Sequence, residues 1–72
     1  MPRRFSGARC RQKRHDAGLR AETVAVAIDR SYHSVCEYEY GRVIPSLTTA
    51  IALADFFGCP LDDLLEEVTD AA

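Results

Sequence analysis

The sequence predicts an all-α fold of five short helices in one domain. Three observations carry this expectation. Apolar residues recur at helical spacing, Ser or Pro stands where a helix would start and Gly where it would stop, and no segment reads as a strand. A chain of 72 residues holds one domain at most, and so small a core depends on tight helix packing, a metal, disulfides or a partner.

Each element has its own signals. Residues 1–5, with Arg3 and Arg4, read as a flexible basic arm. Ser6 is an N-cap for GARCRQKRHDA, and Phe5 with Cys10 makes a hydrophobic staple; this helix runs to about Ala17 and stops at Gly18. In RAETVAVAID, Val24, Ala25 and Ile28 share one face of a short second helix. Ser31 caps a third, from Tyr32 to about Tyr40, ended by Gly41. RVIP is extended, because the residue before proline disfavours the α region. Ser46 caps LTTAIALADFF, with Leu47, Ile51, Ala54 and Phe57 inward, and Gly58 ends it. Pro60 opens a fifth helix, LDDLLEE, where Asp62 and Asp63 suit the positive end of the dipole. The domain therefore spans 6–67, with 68–72 as a frayed tail.

No apolar run reaches the ~18 residues of a membrane span, and MPRRFSG lacks the apolar core of a signal peptide, so a cytoplasmic location is expected. Cys10, Cys36 and Cys59 are odd in number and widely spaced, which reads as free thiols in a reducing compartment. Net charge is −2, but the charges are segregated. Residues 1–42 carry nine basic and five acidic side chains, +4, whereas 43–72 carry six acidic and no basic ones, −6. Such asymmetry implies a basic working face and an acidic side turned away.

SYHSVCEYEYG, residues 31–41, concentrates the chemistry. At 100° per residue, Tyr32, His33, Cys36, Glu37 and Tyr40 fall within an arc of about 140°, while Val35 and Tyr38 lie opposite, with Glu39 at the border. One face is core and the other is free. His33-x-x-Cys36 also puts two metal-ligand types on one face, with Cys10 or His15 to complete a set; no CxxC or HxxxH pair supports it, and no metal or other cofactor is expected. A tyrosine stacking platform is disfavoured because Tyr38 belongs to the core, and Cys36 reads as an exposed small residue before it reads as a redox sensor. There is no phosphate loop, paired-carboxylate pocket or nucleophile with base and orienter, so the chain is not expected to be an enzyme.

Two helices joined by a tight turn, with basic residues upstream, is what a helix-turn-helix needs. The stretch from Ala21 to Ser46 resembles the lambda-repressor-like, Cro and XRE helix-turn-helix family of phage and bacterial regulators. The resemblance is carried by small Ala25 at the helix crossing, core positions Val24, Ile28, Val35 and Tyr38, and Glu39-x-Gly41-x-x-x-Pro45-Ser46. Arg14 with Gly18-Leu19 extends it upstream, and Leu53-Ala54, Gly58 and Leu61-Asp62-Asp63-Leu64-Leu65 extend it downstream, so that it covers roughly 7–65. It departs from the pattern at Asp29, usually Gly; at Arg30, usually apolar; and at Ala21, where the family's common Gln grips a phosphate.

The resemblance implies a sequence-specific double-stranded DNA-binding transcriptional regulator of repressor type, its third helix in the major groove. Tyr32, His33 and Glu37 map onto the base readers; His33 can donate or accept, Glu37 can accept from cytosine N4, and Tyr32 can pack on a thymine methyl. Ser31, Tyr40 and Arg42 would hold phosphates, with Arg9, Lys13, Arg20 or Arg30 as helpers. Arg14 and Glu39 are implied to form a structural ion pair. A homodimer on a (pseudo)palindromic operator follows from the usual geometry, with no small-molecule ligand and no membrane. The rival reading is a protein-interaction module, such as an antitoxin or adaptor, with the same fold and weak DNA binding; Ala21, Glu37 and the acidic second half favour it.

Overall fold

Serine side chains start three helices in the computed structural model, which describes residues 2–68. Ser6 opens α1 (Gly7–Asp16), Ser31 opens α3 (Tyr32–Glu39) and Ser46 opens α4 (Leu47–Phe57), each hydroxyl accepting from the backbone N–H three residues on. Between α1 and α3, α2 (Ala21–Ala27) starts at Arg20 without a side-chain cap.

All four helices end in the same way. A residue in the left-handed region follows each, and a pair of backbone hydrogen bonds closes the last turn in the Schellman pattern. At α3 these run from Gly41 N–H to Tyr38 C=O (3.2 Å) and from Arg42 N–H to Glu37 C=O (3.0 Å). At α2 the equivalent bonds are Asp29 to Val26 (3.2 Å) and Arg30 to Ala25 (3.0 Å), and Asp29 itself takes φ 56° where the other helices use glycine. The turn between α2 and α3 thus keeps its shape despite a non-glycine residue at its pivot.

The expectation of five helices and no strand is corrected. Leu61–Leu64 is a single 3-10 turn, and Leu65–Glu67 is a strand, β2, antiparallel to β1 (Arg3–Phe5). In place of a flexible arm, the register sets Arg3 opposite Glu67, Arg4 opposite Glu66 and Phe5 opposite Leu65, so opposite charges face across the ladder. Val68 N–H donates to Pro2 C=O (3.0 Å), and the rest of the expected frayed tail, residues 69–72, lies outside the described residues. Leu64 explains the switch: it is fully buried, and its carbonyl accepts from Ser6 N–H at 2.7 Å, which stops the turn and sends the chain out beside β1.

α4 is also rotated from expectation. Thr49, Ala50, Leu53 and Ala54 are buried, whereas Leu47 is 68% and Ile51 43% exposed. An i, i+4, i+7 series can be drawn from Leu47 or from Ala50, and the helix is apolar on enough sides that spacing alone does not choose. The core is built from Cys10, Val24, Ala25, Ile28, Val35, Tyr38, Leu53, Ala54 and Leu64, with Phe5, Leu19, Phe57, Cys59 and Leu61 packed at its edge. Among the described residues, no helix is long and apolar enough to cross a membrane.

Candidate nucleic-acid interface

α3 divides as its sequence period requires. Val35 and Tyr38 are buried with Glu39, while Tyr32, His33 and Tyr40 are exposed and Cys36 and Glu37 are half-buried between them. Its orientation is fixed from two sides. Small, buried Ala25 belongs to α2, whose turn into α3 is closed at Asp29. On the other side Gly7 of α1 touches α3 so closely that a Cβ there would overlap the carbonyl oxygen of Tyr38 and lie 2.6 Å from that of Glu39.

Arg14 then ties α1 to the end of α3. Its Nε donates to Glu39 Oε2 (2.7 Å), its Nη2 to Glu39 Oε1 (3.0 Å), and its Nη1 to Leu19 C=O (3.0 Å). With side chains 15% and 5% exposed, this is a bidentate pair shielded from solvent, and the carboxylate holds the guanidinium above its ordinary range. The pair implied by the family resemblance is present, and each of the three guanidinium nitrogens donates locally.

Glu37 has a different neighbourhood. Arg42 Nη1 donates to its Oε1 at 3.3 Å, and His33 Nε2 stands 3.9 Å from the same oxygen, an ion pair only when the imidazole is protonated. Arg42 also lies over the Tyr40 ring, 5.4 Å from its centroid. Backbone geometry causes this: the left-handed Gly41 (φ 73°) turns the chain back, so that the N–H groups of Arg42 and Val43 both donate to Glu37 C=O (3.0 and 3.3 Å). Tyr32 stands at the opposite end of the face, its phenol held above the ordinary range chiefly by Cys36 one turn on, so it is a neutral donor.

The remaining sequence-predicted contacts flank these helices. Ser31 is exposed, its Oγ accepting from Ser34 N–H and donating to Ser34 Oγ, both at 3.0 Å. Exposed Arg20 precedes α2, and Arg30 follows it, with Nη2 3.4 Å from Thr49 Oγ1. Thr49 is a residue that sequence reasoning missed. It is buried, belongs to α4 and also accepts from Ser46 Oγ (3.0 Å), and the arginine at a usually apolar position was its only signal. The basic arm and helper Lys13 are otherwise engaged: Arg3 pairs with Asp62 (3.1 Å), Arg4 with Glu66 (3.0 Å) and Lys13 with Asp63 (3.1 Å), the last raising Lys13 above its usual range. Among the described residues, no group of three or more His, Cys, Asp or Glu side chains could hold a metal ion. Cys10 is sealed in the core, where burial pushes its thiol up to about 12.

Comparison with known proteins gives a consistent result. Residues 7–68 match the helix-turn-helix domain family. The HTH-type transcriptional regulator DdrOP3 of Deinococcus deserti is 40% identical over 60 residues, 83% of this chain; the chain spans only 46% of that regulator's length. Among solved structures, the restriction-modification controller protein C.AhdI of Aeromonas hydrophila superposes with a TM-score of 0.77 at 29% identity, over 81% of this chain and 88% of the other. The P22 c2 repressor, solved with a synthetic operator, has the same fold, with a TM-score of 0.78 at 21% identity over 85% and 92% of the two chains.

Proposed function

The chain belongs to the helix-turn-helix domain family, and from that premise we propose that it is the sequence-specific DNA-binding part of a transcriptional regulator acting as a repressor. α3 enters the major groove from its N-terminal end, and α2 lies across the phosphate backbone. Tyr32, His33 and Glu37 meet base edges, while Ser31, Tyr40, Arg20, Arg30 and Arg42 meet phosphates. The observation that carries this reading is the split of α3 into a buried side, anchored by Arg14 and Glu39, and an outward polar side where Arg42 meets Glu37 and Tyr40, with exposed Arg20 and Arg30 at the two ends of α2. That two relatives are by name a transcriptional regulator and an operator-bound repressor supports it.

The bound form is a homodimer on a (pseudo)palindromic operator. Leu47 and Ile51, both exposed, share one face of α4 a turn apart, and Val43 and Ile44 a few residues earlier are exposed too, apolar side chains available for self-association. The test is a salt titration on duplex DNA. A repressor with several phosphate contacts loses affinity linearly in log–log form, with a slope of roughly −0.9 per contact. Failure to bind any duplex from a random pool at low salt would remove the proposal.

A further inference from the structure

We propose that Arg42 is a positioning residue for Glu37: it holds one carboxylate oxygen so that the other is presented to the exocyclic amine of a cytosine. This rests on the groove reading above and adds a specificity role to a residue otherwise assigned to the phosphate backbone.

The two oxygens of Glu37 are not equivalent. Oε1 accepts from Arg42 Nη1 at 3.3 Å and is the oxygen nearer His33, whose Nε2 stands 3.9 Å away, whereas Oε2 has no hydrogen bond or ion pair among the described residues. Every buried side-chain nitrogen or oxygen in the described structure has a partner, so partnerless Oε2 must meet solvent. The restraint on Oε1 is built into the backbone. Gly41 returns the chain so that Arg42 N–H bonds Glu37 C=O, and the guanidinium is steadied over Tyr40. A glutamate held in this way has already given up rotamer freedom that base contact would otherwise cost.

Charge and chemistry select the ligand. A free carboxylate beside DNA is repelled by phosphates, and Arg42 offsets that repulsion at its source. Only one guanidinium nitrogen is spent on Glu37, so the remaining donors of the fork stay available to a phosphate. An ionised carboxylate only accepts. In the major groove cytosine offers an N4 donor without an adjoining acceptor, whereas adenine sets its N7 acceptor beside N6, and guanine and thymine show acceptors alone.

The test is selection from random duplexes at low salt with the wild type, Glu37→Gln, Arg42→Ala, Arg42→Lys and the double variant Glu37→Gln with Arg42→Ala. Melting curves check that each is folded. The wild type should favour cytosine at one position per half-site, and Glu37→Gln should change that base to adenine. Arg42→Ala should reduce the cytosine preference by about fivefold or more while sparing other positions, since one good base contact is worth at least that much. When Glu37→Gln is already present, adding Arg42→Ala should weaken all sequences alike. Arg42→Lys should restore non-specific affinity more fully than the cytosine preference, because a point charge lacks the fork. Arg42→Ala binding all sequences less tightly with the cytosine preference intact would overturn the positioning role while leaving the groove reading standing. A wild type that binds without selecting any base overturns both.

Discussion

Gly7→Ala tests how α3 is held at its working angle. Gly7 is the first residue of α1, where alanine on propensity alone would gain up to about 1 kcal/mol. The added methyl, however, would overlap the carbonyl oxygen of Tyr38 and stand 2.6 Å from that of Glu39. These obstacles are backbone atoms, so no side-chain rotation relieves them, and one helix must move from the other. Overpacking costs roughly 1–3 kcal/mol, and a backbone obstruction belongs at the upper end. Net destabilisation should be about 2 kcal/mol, a fall in Tm of roughly 8–16 °C for a domain of this size. Differential scanning calorimetry measures it directly. As a control, Ala8→Ser, at an exposed neighbouring position, should change stability by no more than about 0.5 kcal/mol. A Tm for Gly7→Ala equal to or above the wild type would refute the close approach of α1 and α3, and with it this account of how α3 is oriented. Bound DNA should report the same displacement, as weaker affinity well below the melting transition.

Three further outcomes are expected. Glu39→Ala leaves the Arg14 guanidinium shielded and without its carboxylate, with Leu19 C=O and the more distant His15 Nε2 to bond, and should cost about 3 kcal/mol in urea denaturation; replacing both partners, Arg14→Met with Glu39→Leu, should cost less than that single change. Asp29→Gly relieves a left-handed aspartate at the end of α2 and should raise stability by about 0.5–1 kcal/mol, with the sign read from the urea midpoint. Cys10 has its thiol pushed up from 9.0 to about 12 by burial, with the Glu39 carboxylate adding to the effect. Between those values the unfolded chain has lost a proton that the folded chain keeps, so this contribution to stability is complete below pH 9 and is lost as pH rises toward 12. The alkaline slope of stability should flatten in Cys10→Ala relative to the wild type, and an unchanged slope would contradict the assigned burial.

Helix starts and stops were legible because they are local. Ser6, Ser31 and Ser46 cap where a hydroxyl can reach the third N–H onward, and Gly18, Gly41 and Gly58 take the left-handed angle that ends a turn. The two faces of α3 were legible for the same reason, since Val35 and Tyr38 leave little choice of register. What escaped was non-local or degenerate. Pairing of β1 with β2 joins residues about sixty positions apart through strands of three residues, too short for any alternation to show. The rotation of α4 is degenerate because apolar residues lie on several of its sides, and only the neighbours it meets decide which are buried. Site chemistry followed the same division: the outward side of α3 could be read from spacing, but the Glu37–Arg42 pair and the Arg30–Thr49 bond needed a folded chain.

The β1–β2 pairing also resolves what the acidic second half does in a protein proposed to grip DNA. Folding lays the residues that follow Pro60 against the amino-terminal strand and α1, where Asp62, Asp63 and Glu66 pair with Arg3, Lys13 and Arg4. Ser6, then Arg4, hold the Glu66 carboxyl below its ordinary range, so that pairing survives into mild acid. The pairs are solvent-exposed and add little to stability. Their larger effect is on the field, because they cancel positive charge at the strand end of the molecule while Arg20 and Arg30, on either side of α2, have no acidic partner among the described residues. Charge is thus largely cancelled at the strand end, and the arginines left without an acidic partner among the described residues, Arg9 and Arg11 on α1 and Arg20 and Arg30 on either side of α2, are those free to attract phosphate.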